Sequence, residues 1–499
     1  MSNGLWITII ALIGIGVFYL LRNTGSGSKQ SQKETVRRLN RRNPVGAVDA
    51  ASREKELDVL HPEHPDIGPG LTIGYMGDHK DRKLIQGWRE CATHVWGTGR
   101  GKTTSQVITH SYEAPGPFIM TGNKPDGVWE VIAARRDRGR IWICDAQNIL
   151  DDHPWPLMTI DLFSSIRDTL TADEVSEIFQ VSTSQGSNAK RDPQFDSQGR
   201  DLLSACFLAA KEAKLPPSKV LSWITSSKLI EPEGILQSAG HYGRASLLEG
   251  ISKQPDDTRG SVFATAQRMA SPLGHDSLLR WATPHEGVAS FSPDKFVESE
   301  DTLILLAQET GGSGSAFIST VIHSIFASAM RKARSRGGRL EVPLVADLDE
   351  VGNVVKLPQL PEWFSFFGSM GIVVSAYFQT RGQGINMLSQ TGWDTLWSAS
   401  AVRVYGGGSD DDKFLDTLRK LSGTYEHLQR TNSSSRGQRS TSTSYQQRDI
   451  LPVDRLAGLD RWHAWVRTNL GGSTIVRTVP WFKNEDLGPW ITDGLEEVR

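Results

Sequence analysis

The stretch HVWGTGRGKTTSQV, residues 94–107, decides the reading of this chain. Phosphate binding needs small residues so that consecutive backbone N–H groups can wrap the oxygens, a lysine for the β and γ oxygens, and a hydroxyl for Mg2+. Gly97, Thr98, Gly99, Arg100, Gly101, Lys102, Thr103 and Thr104 supply that set, with Thr103 as the hydroxyl ligand. The spacing G-x-x-x-x-G-K-[ST] puts Trp96 where the opening glycine belongs, and Gly97 comes one residue late. The donors to the β- and γ-phosphates lie mainly in the intact half, Gly99 through Thr104, so the loop is expected to bind ATP. Trp96 then alters the entry, either packing on a neighbouring surface or covering the nucleotide. A chance glycine-rich turn is the competing reading.

A second motif bears on that choice. In VPLVADLDEVGNV, residues 342–354, a hydrophobic strand delivers Asp349 to its C-terminal end, where a carboxylate can hold Mg2+, and Glu350 beside it can orient and activate the attacking water. Asp347 competes for the magnesium role. A strand's period of two puts Asp347 and Asp349 on one face, so periodicity leaves both open; the pairing with Glu350 favours Asp349. Gln379, in GIVVSAYFQTRGQG, ends the next buried strand, where an amide can sense the γ-phosphate or the water; a glutamine that merely opens a loop is the bland alternative. Roughly 250 residues separate the two motifs, which calls for a large insertion.

Outward from these motifs the chain has a clear order. Apolar runs of strand length (GPFIMT, RIWICDA, DTLILLA, VPLVADL, GIVVSAYF and SAVRVYG) alternate with segments of helical period, which predicts an α/β domain on a largely parallel sheet. Nucleotide-binding parts are expected over 71–163 and 286–428, with an all-α subdomain inserted at 164–285. There Leu202, Leu203, Cys206, Phe207 and Ala210 repeat as one helical face. The stripe from Phe317 to Met330 is a core helix. Residues 429–448, rich in Ser and Arg and free of acidic residues, read as a disordered loop, and 449–499 as a hairpin turning at Gly471 and Gly472, followed by a tail.

The first residues differ in kind. Residues 5–21, LWITIIALIGIGVFYLL, carry no charge and would span about 25 Å as a helix at ~1.5 Å per residue, the short end of what crosses a bilayer. Basic residues follow this run and none precedes it, so 1–22 is expected to be a single-pass anchor in the inner or plasma membrane with the bulk of the chain cytoplasmic. A cleaved signal peptide is the rival, and it would need the basic start that is missing here. Residues 23–70 read as a flexible basic linker. The net charge of −2 excludes a globally basic nucleic-acid binder, and Cys91, Cys144 and Cys206 show no metal spacing or disulfide pattern.

Three segments together resemble the type IV coupling proteins of bacterial conjugation, the TraG/TraD-like relatives of the FtsK translocases, particularly actinobacterial-type members: GRGKTTSQVITHSYEAPGPFIMTGNKPD, DLDEVGNVVKLPQLPEWFSFFGSMGIVVSAYFQTRGQG and ILPVDRLAGLD…TVPWF. The resemblance runs from about Leu71 to Phe482, and Lys124, Pro125 and Asp126 are its most specific element. It implies a RecA/FtsK-like P-loop ATPase using ATP and Mg2+, anchored in the membrane. It also implies a homo-hexameric ring engaging DNA, relaxase and other relaxosome proteins, and the secretion channel. The implied roles are Lys102 on phosphate, Thr103 and Asp349 on Mg2+, Glu350 on water and Gln379 as sensor.

The chain departs from that pattern at Gly368, where the family carries an arginine that reaches the neighbouring subunit's nucleotide. Arg381 is the candidate catalytic substitute, with Arg403 second, and an arginine installed at position 368 is expected to change little. Two other readings share these residues: an ATPase for protein export alone, and an assembly platform that binds nucleotide without hydrolysing it.

Overall fold

The computed structural model describes residues 34–39, 48–61, 63–64, 66–76, 82–150, 158–184, 193–308, 312–435 and 438–498. The proposed anchor, 5–21, lies outside them. Among the described residues, Ser313–Ser335 is long and apolar enough to cross a membrane, but 83% of its most apolar window is buried in the protein core, as the Phe317-to-Met330 stripe requires.

The chain is organised by an eleven-stranded sheet. Its strands are β1 (Leu71–Met76), β2 (Lys83–Gln86), β3 (Ala92–Val95), β4 (Phe118–Gly122), β5 (Ile141–Asp145), β6 (Thr302–Leu306), β7 (Leu344–Leu348), β8 (Ile372–Phe378), β9 (Val402–Tyr405), β10 (His463–Thr468) and β11 (Gly472–Arg477). Across the sheet they run β2-β1-β11-β10-β9-β3-β8-β7-β4-β6-β5. From β9 to β5 every pairing is parallel. The β10–β11 hairpin and β1–β2 extend the sheet antiparallel. Strands β4, β6, β7 and β8 are buried at every position, the pattern of parallel strands covered by helices on both faces. Because β8 lies between β3 and β7, the glycine-rich loop, Gln379 and the acidic pair all leave the same edge of the sheet. That is the crevice at the carboxyl ends of parallel strands where α/β sheets bind ligands.

Between β5 and β6 the chain enters and leaves a helical region through a short parallel ribbon, Met158–Ile160 against Ala289–Phe291. Helices fill this region from Thr169–Thr183 to Asp276–Ala282. Pro193–Glu212 buries Leu202, Leu203, Cys206, Phe207 and Ala210 on its inner face.

Two expectations require correction. Residues 23–70 are not wholly a linker, because Ala50–Leu60 is a helix capped by Asp49, whose side chain accepts from Ser52 N at 3.0 Å. Arg53 on that helix is 3% exposed and pairs with Glu90 at 2.5 Å and Glu56 at 3.0 Å. A helix anchored by a buried ion pair has no apolar stripe to read. The second correction concerns 429–448: Thr424–Ser435 and Gln438–Asp449 pair with each other along their whole length as an antiparallel ribbon. Main-chain bonding there replaces the hydrophobic signal that the composition lacks.

Several basic side chains of the runs 135–140 and 331–339 have partners within the chain. Arg135 is fully buried and donates to Thr302 Oγ1 at 2.5 Å and to the carbonyls of Ser111, Ala114, Gly116 and Glu300. Arg331, Lys332 and Arg336 pair with Asp294 and Glu298.

Gly368 corrects a further expectation. A Cβ built there would lie 2.0 Å from the backbone oxygen of Arg89, so no side chain fits without moving main chain. An arginine at 368 would therefore disrupt the chain instead of leaving it unchanged. Gly368→Ala should cost at least about 1–3 kcal/mol through overpacking, read as a lowered thermal midpoint; an unchanged midpoint would contradict this contact.

Candidate nucleotide-binding site

The loop leaves β3 at Trp96, whose N–H donates to Phe378 O on β8 at 2.9 Å. Trp96 is fully buried; its ring lies over Gly406, where a Cβ would approach to 2.2 Å, and its Nε1 donates to His94 Nδ1 at 3.3 Å. The indole thus packs inward and forms no lid. Gly97 passes so close to Gly408 that a Cβ would sit 2.6 Å from its oxygen, so the late glycine meets a real steric demand. Gly99 at φ +71 and Gly101 at φ +88 take left-handed conformations that favour glycine. Alternating handedness of this kind turns successive N–H groups inward to make an anion cradle. Arg100 points away from the cradle, toward Gly406 O at 3.0 Å and Leu459 O. Thr103–Val107 then opens the following helix as a π-helical turn, continued by Ile108–Glu113.

The acidic pair meets this loop directly. Lys102 Nζ forms ion pairs with Asp349 Oδ1 and, at 3.2 Å, with Glu350 Oε1. Thr103 Oγ1 donates to Asp349 Oδ2 at 3.3 Å. Gln379 Nε2 donates to both oxygens of Glu350, at 2.9 and 2.8 Å, and Asn353 Nδ2 adds a contact at 3.3 Å. Glu350 is held at φ +57, a conformation that costs a side-chain-bearing residue about 1–3 kcal/mol and is concentrated at functional sites. Thr121 Oγ1 fixes the Asp349 carbonyl at 2.7 Å. Burial raises the Asp349 carboxyl above its ordinary range, with Lys102 opposing. Burial works to lower the Lys102 ammonium, but Asp349 and Glu350 outweigh it and hold the lysine above its usual value.

These groups border a cavity of about 530 Å³ that all eight candidate loop residues line, together with Asp349, Glu350 and Gln379. Lys124, Asp126 and Gly127 close one side, and Gly127 is so near Thr103 that a Cβ would lie 2.7 Å from its methyl group. Arg461, Trp481 and Phe482, from the C-terminal part of the chain, complete the wall. Sequence reading missed them as site residues because nothing local ties them to a phosphate loop. Arg381 stands apart from the lining, at the start of helix Arg381–Ala399, with Asp411 at 3.5 Å and Gln390 at 3.2 Å. Arg403 donates to the carbonyls of Trp397 and Ser398.

Asp347, left open by periodicity, is fully buried and bonded to His110 Nδ1 at 2.9 Å, with Tyr377 OH at 3.4 Å. His110 Nε2 faces Thr72 O at 3.3 Å. The four residues tie the helix after the loop to β1, β7 and β8. Burial alone would lower the His110 pKa, but Asp347, with Glu113 behind it, outweighs burial and holds it above the ordinary histidine value. Stability from this pair is therefore complete below the unfolded histidine value and is lost as pH rises through the raised folded one. His110→Gln strands a buried carboxylate and should cost about 3–5 kcal/mol. Its deficit against wild type should be largest in mildly acid buffer and shrink as pH climbs, as followed by thermal unfolding; a deficit independent of pH would exclude a charged pair.

Residues 343–461 match the family model described as the TraM recognition site of TraD and TraG, a span that holds the acidic pair, Gln379 and Arg381. No curated protein matches the chain. Among solved structures it is similar to the bacterial conjugative coupling protein TrwB in a trigonal form with sulphate, at 16% identity over 80% of this chain and 88% of that one, with a TM-score of 0.57. TrwB with ADP and Mg2+ gives 0.56 at 16% identity, covering 80% and 88%. TrwB with the ATP analogue ADPNP gives 0.55 at 16% identity, covering 79% and 86%. In fold, then, the chain is similar to the conjugative coupling protein TrwB, and residues 343–461 match the TraD/TraG family model.

Proposed function

We propose that the protein is a membrane-anchored ATPase that couples ATP hydrolysis to the transfer of DNA, or of a relaxase–DNA complex, through a conjugative type IV secretion system. The observation that carries this is the convergence of Lys102, Thr103, Asp349, Glu350 and Gln379 on one cavity. Lys102, now paired with two carboxylates, turns to the β- and γ-phosphates when nucleotide enters. Glu350 accepts the proton of the attacking water, and Gln379, donating to both its oxygens, fixes the carboxylate plane. The site also fits magnesium: Thr103 Oγ1 and Asp349 Oδ2 are hard oxygens 3.3 Å apart, the donor type that ion takes. Bound with nucleotide, Mg2+ would neutralise charge on the β and γ oxygens.

The partners follow from the same reading: DNA, relaxase and other relaxosome proteins, and channel proteins, with a homo-hexameric ring as the working form. The match to a TraM recognition site supports the relaxosome contact. The uncharged run 5–21 supports a single-pass anchor in the inner or plasma membrane, with the body in the cytoplasm. The actinobacterial-type assignment rests on the sequence motifs. Arg381 is assigned to the neighbouring subunit's nucleotide, exchanging Asp411 for the phosphates as the ring closes.

The test is ATP turnover of a chain lacking residues 1–22, with and without single- and double-stranded DNA. Lys102→Ala should abolish binding or turnover. Glu350→Gln should cut hydrolysis about 10²- to 10⁴-fold, and Arg381→Ala at least ~100-fold, both with ATP binding nearly intact. Turnover indifferent to DNA at every salt concentration would move the assignment to protein export, and ATP retained without hydrolysis would make the protein a platform.

A further inference from the structure

Phe482 is 53% exposed and lines the nucleotide cavity. Among the described residues no other phenylalanine or tryptophan is exposed to that degree. An exposed ring at the edge of a cavity whose other lining is mostly glycines, threonines and charged groups has no part in holding phosphate or water. It calls for a ligand with a flat apolar face.

The turn that carries the ring is fixed by main-chain bonds and by its neighbours. Phe482 sits in a 3-10 turn, Trp481–Lys483, that follows β11, and the turn is closed by Lys483 N to Pro480 O at 2.9 Å and Asn484 N to Trp481 O at 3.0 Å. Trp481 packs on the sheet core and meets Phe482 edge to face, with centroids 5.7 Å apart at 85°. The following helix, Leu487–Val498, docks on Val128–Ala134: Arg136 stacks over the Trp490 ring at 3.6 Å, and Trp490 Nε1 donates to Ala134 O at 3.1 Å. Upstream, Trp462 covers Gly101 so closely that a Cβ there would lie 2.3 Å from its ring, and Arg100 reaches Leu459 O. Loop and C-terminal segment therefore form one rigid cradle.

The groups that act on the terminal phosphates come from β7, β8 and the loop, so a nucleoside triphosphate pinned there must send its base toward the remaining wall. The cavity's 530 Å³ suits such a molecule, since ligand pockets run from about 300 to 1,000 Å³. We propose that Phe482, backed by Trp481, is the platform on which the nucleobase stacks, so that the C-terminal segment determines recognition of the base. This rests on the nucleotide reading of the loop and goes beyond it in naming what holds the other end. A ring reads the face of a base and not its edge. ATP and GTP should accordingly bind alike, and both more tightly than a phosphate chain without a base.

The test is calorimetric binding of ATP, GTP and inorganic tripolyphosphate to the full chain and to Phe482→Ala, Phe482→Trp and Lys102→Ala variants. Phe482→Ala should weaken ATP and GTP about tenfold by loss of stacking and leave tripolyphosphate unchanged, and Phe482→Trp should restore both nucleotides. The platform is overturned if Phe482→Ala binds ATP as wild type does, if it weakens tripolyphosphate equally, or if it alters only the assembly state. Loss of all three ligands in Lys102→Ala, with Phe482→Ala unaffected, would keep the nucleotide site and remove the platform. A wild-type chain that binds none of the three would remove both.

Discussion

The site depends on bringing Lys102 to two carboxylates at the edge of the sheet. A buried ammonium or carboxylate is costly alone, and the pair becomes tolerable only when geometry and extra hydrogen bonds satisfy both partners. Here Asp349 also accepts from Thr103 and from Glu350 N at 2.7 Å, while Glu350 accepts from Gln379 and Asn353. No single stretch of chain supplies all of these groups. They come from loops after β3, β7 and β8, and only a parallel sheet with β8 between the other two sets all three down together. The strained backbone of Glu350 is part of the same solution, since it turns the side chain toward Lys102 and Gln379.

Beneath that layer lies a second one, equally polar. His110, Asp347, Tyr377 and Thr72 join the helix after the loop to three strands, and Arg135 joins the far end of the same helix to the turns before β4 and β6. Apolar contacts would fill these spaces but would let the helix slide. Directed bonds to carbonyls and a carboxylate fix its rotation and height, hence the position of Lys102 at its start.

What could be read in advance followed from how local the signal is. Lys102, Thr103 and the glycines of the loop are legible because phosphate chemistry dictates residue types at fixed spacing. The parallel sheet was legible because fully buried strands are apolar at consecutive positions. Asp347 and Asp349 were not separable, since a period of two treats them alike; only the three-dimensional neighbours, His110 for one and Lys102 for the other, distinguish them. Arg53 hid a folded helix inside an apparent linker because its burial is balanced by Glu90, far along the chain. The 424–449 ribbon is built from a stretch low in hydrophobic residues, and Arg461, Trp481 and Phe482 reach the cavity through a hairpin whose joining of the main sheet no local pattern announces.

The tryptophan in place of the loop's first glycine has its explanation in a distant triplet, Gly406 to Gly408, just after β9. Each of these glycines answers one residue of the loop. A Cβ at 406 would meet the Trp96 ring at 2.2 Å, one at 407 the Arg100 guanidinium at 2.5 Å, and one at 408 the Gly97 Cα at 3.1 Å. Gly407 and Gly408 also hold φ of +85 and +83, so neither position favours a substitute. The backbone bond from Gly97 N to Gly407 O at 2.9 Å closes the contact. The loop has therefore not lost its glycine support. Part of it is provided by the strand beside β3, where three glycines make room for the indole and the guanidinium and leave the half that faces the cavity unaltered. A larger residue at any of the three would push on Trp96, Arg100 or Gly97 before it touched Lys102, so loop geometry and sheet packing at this edge are a single constraint.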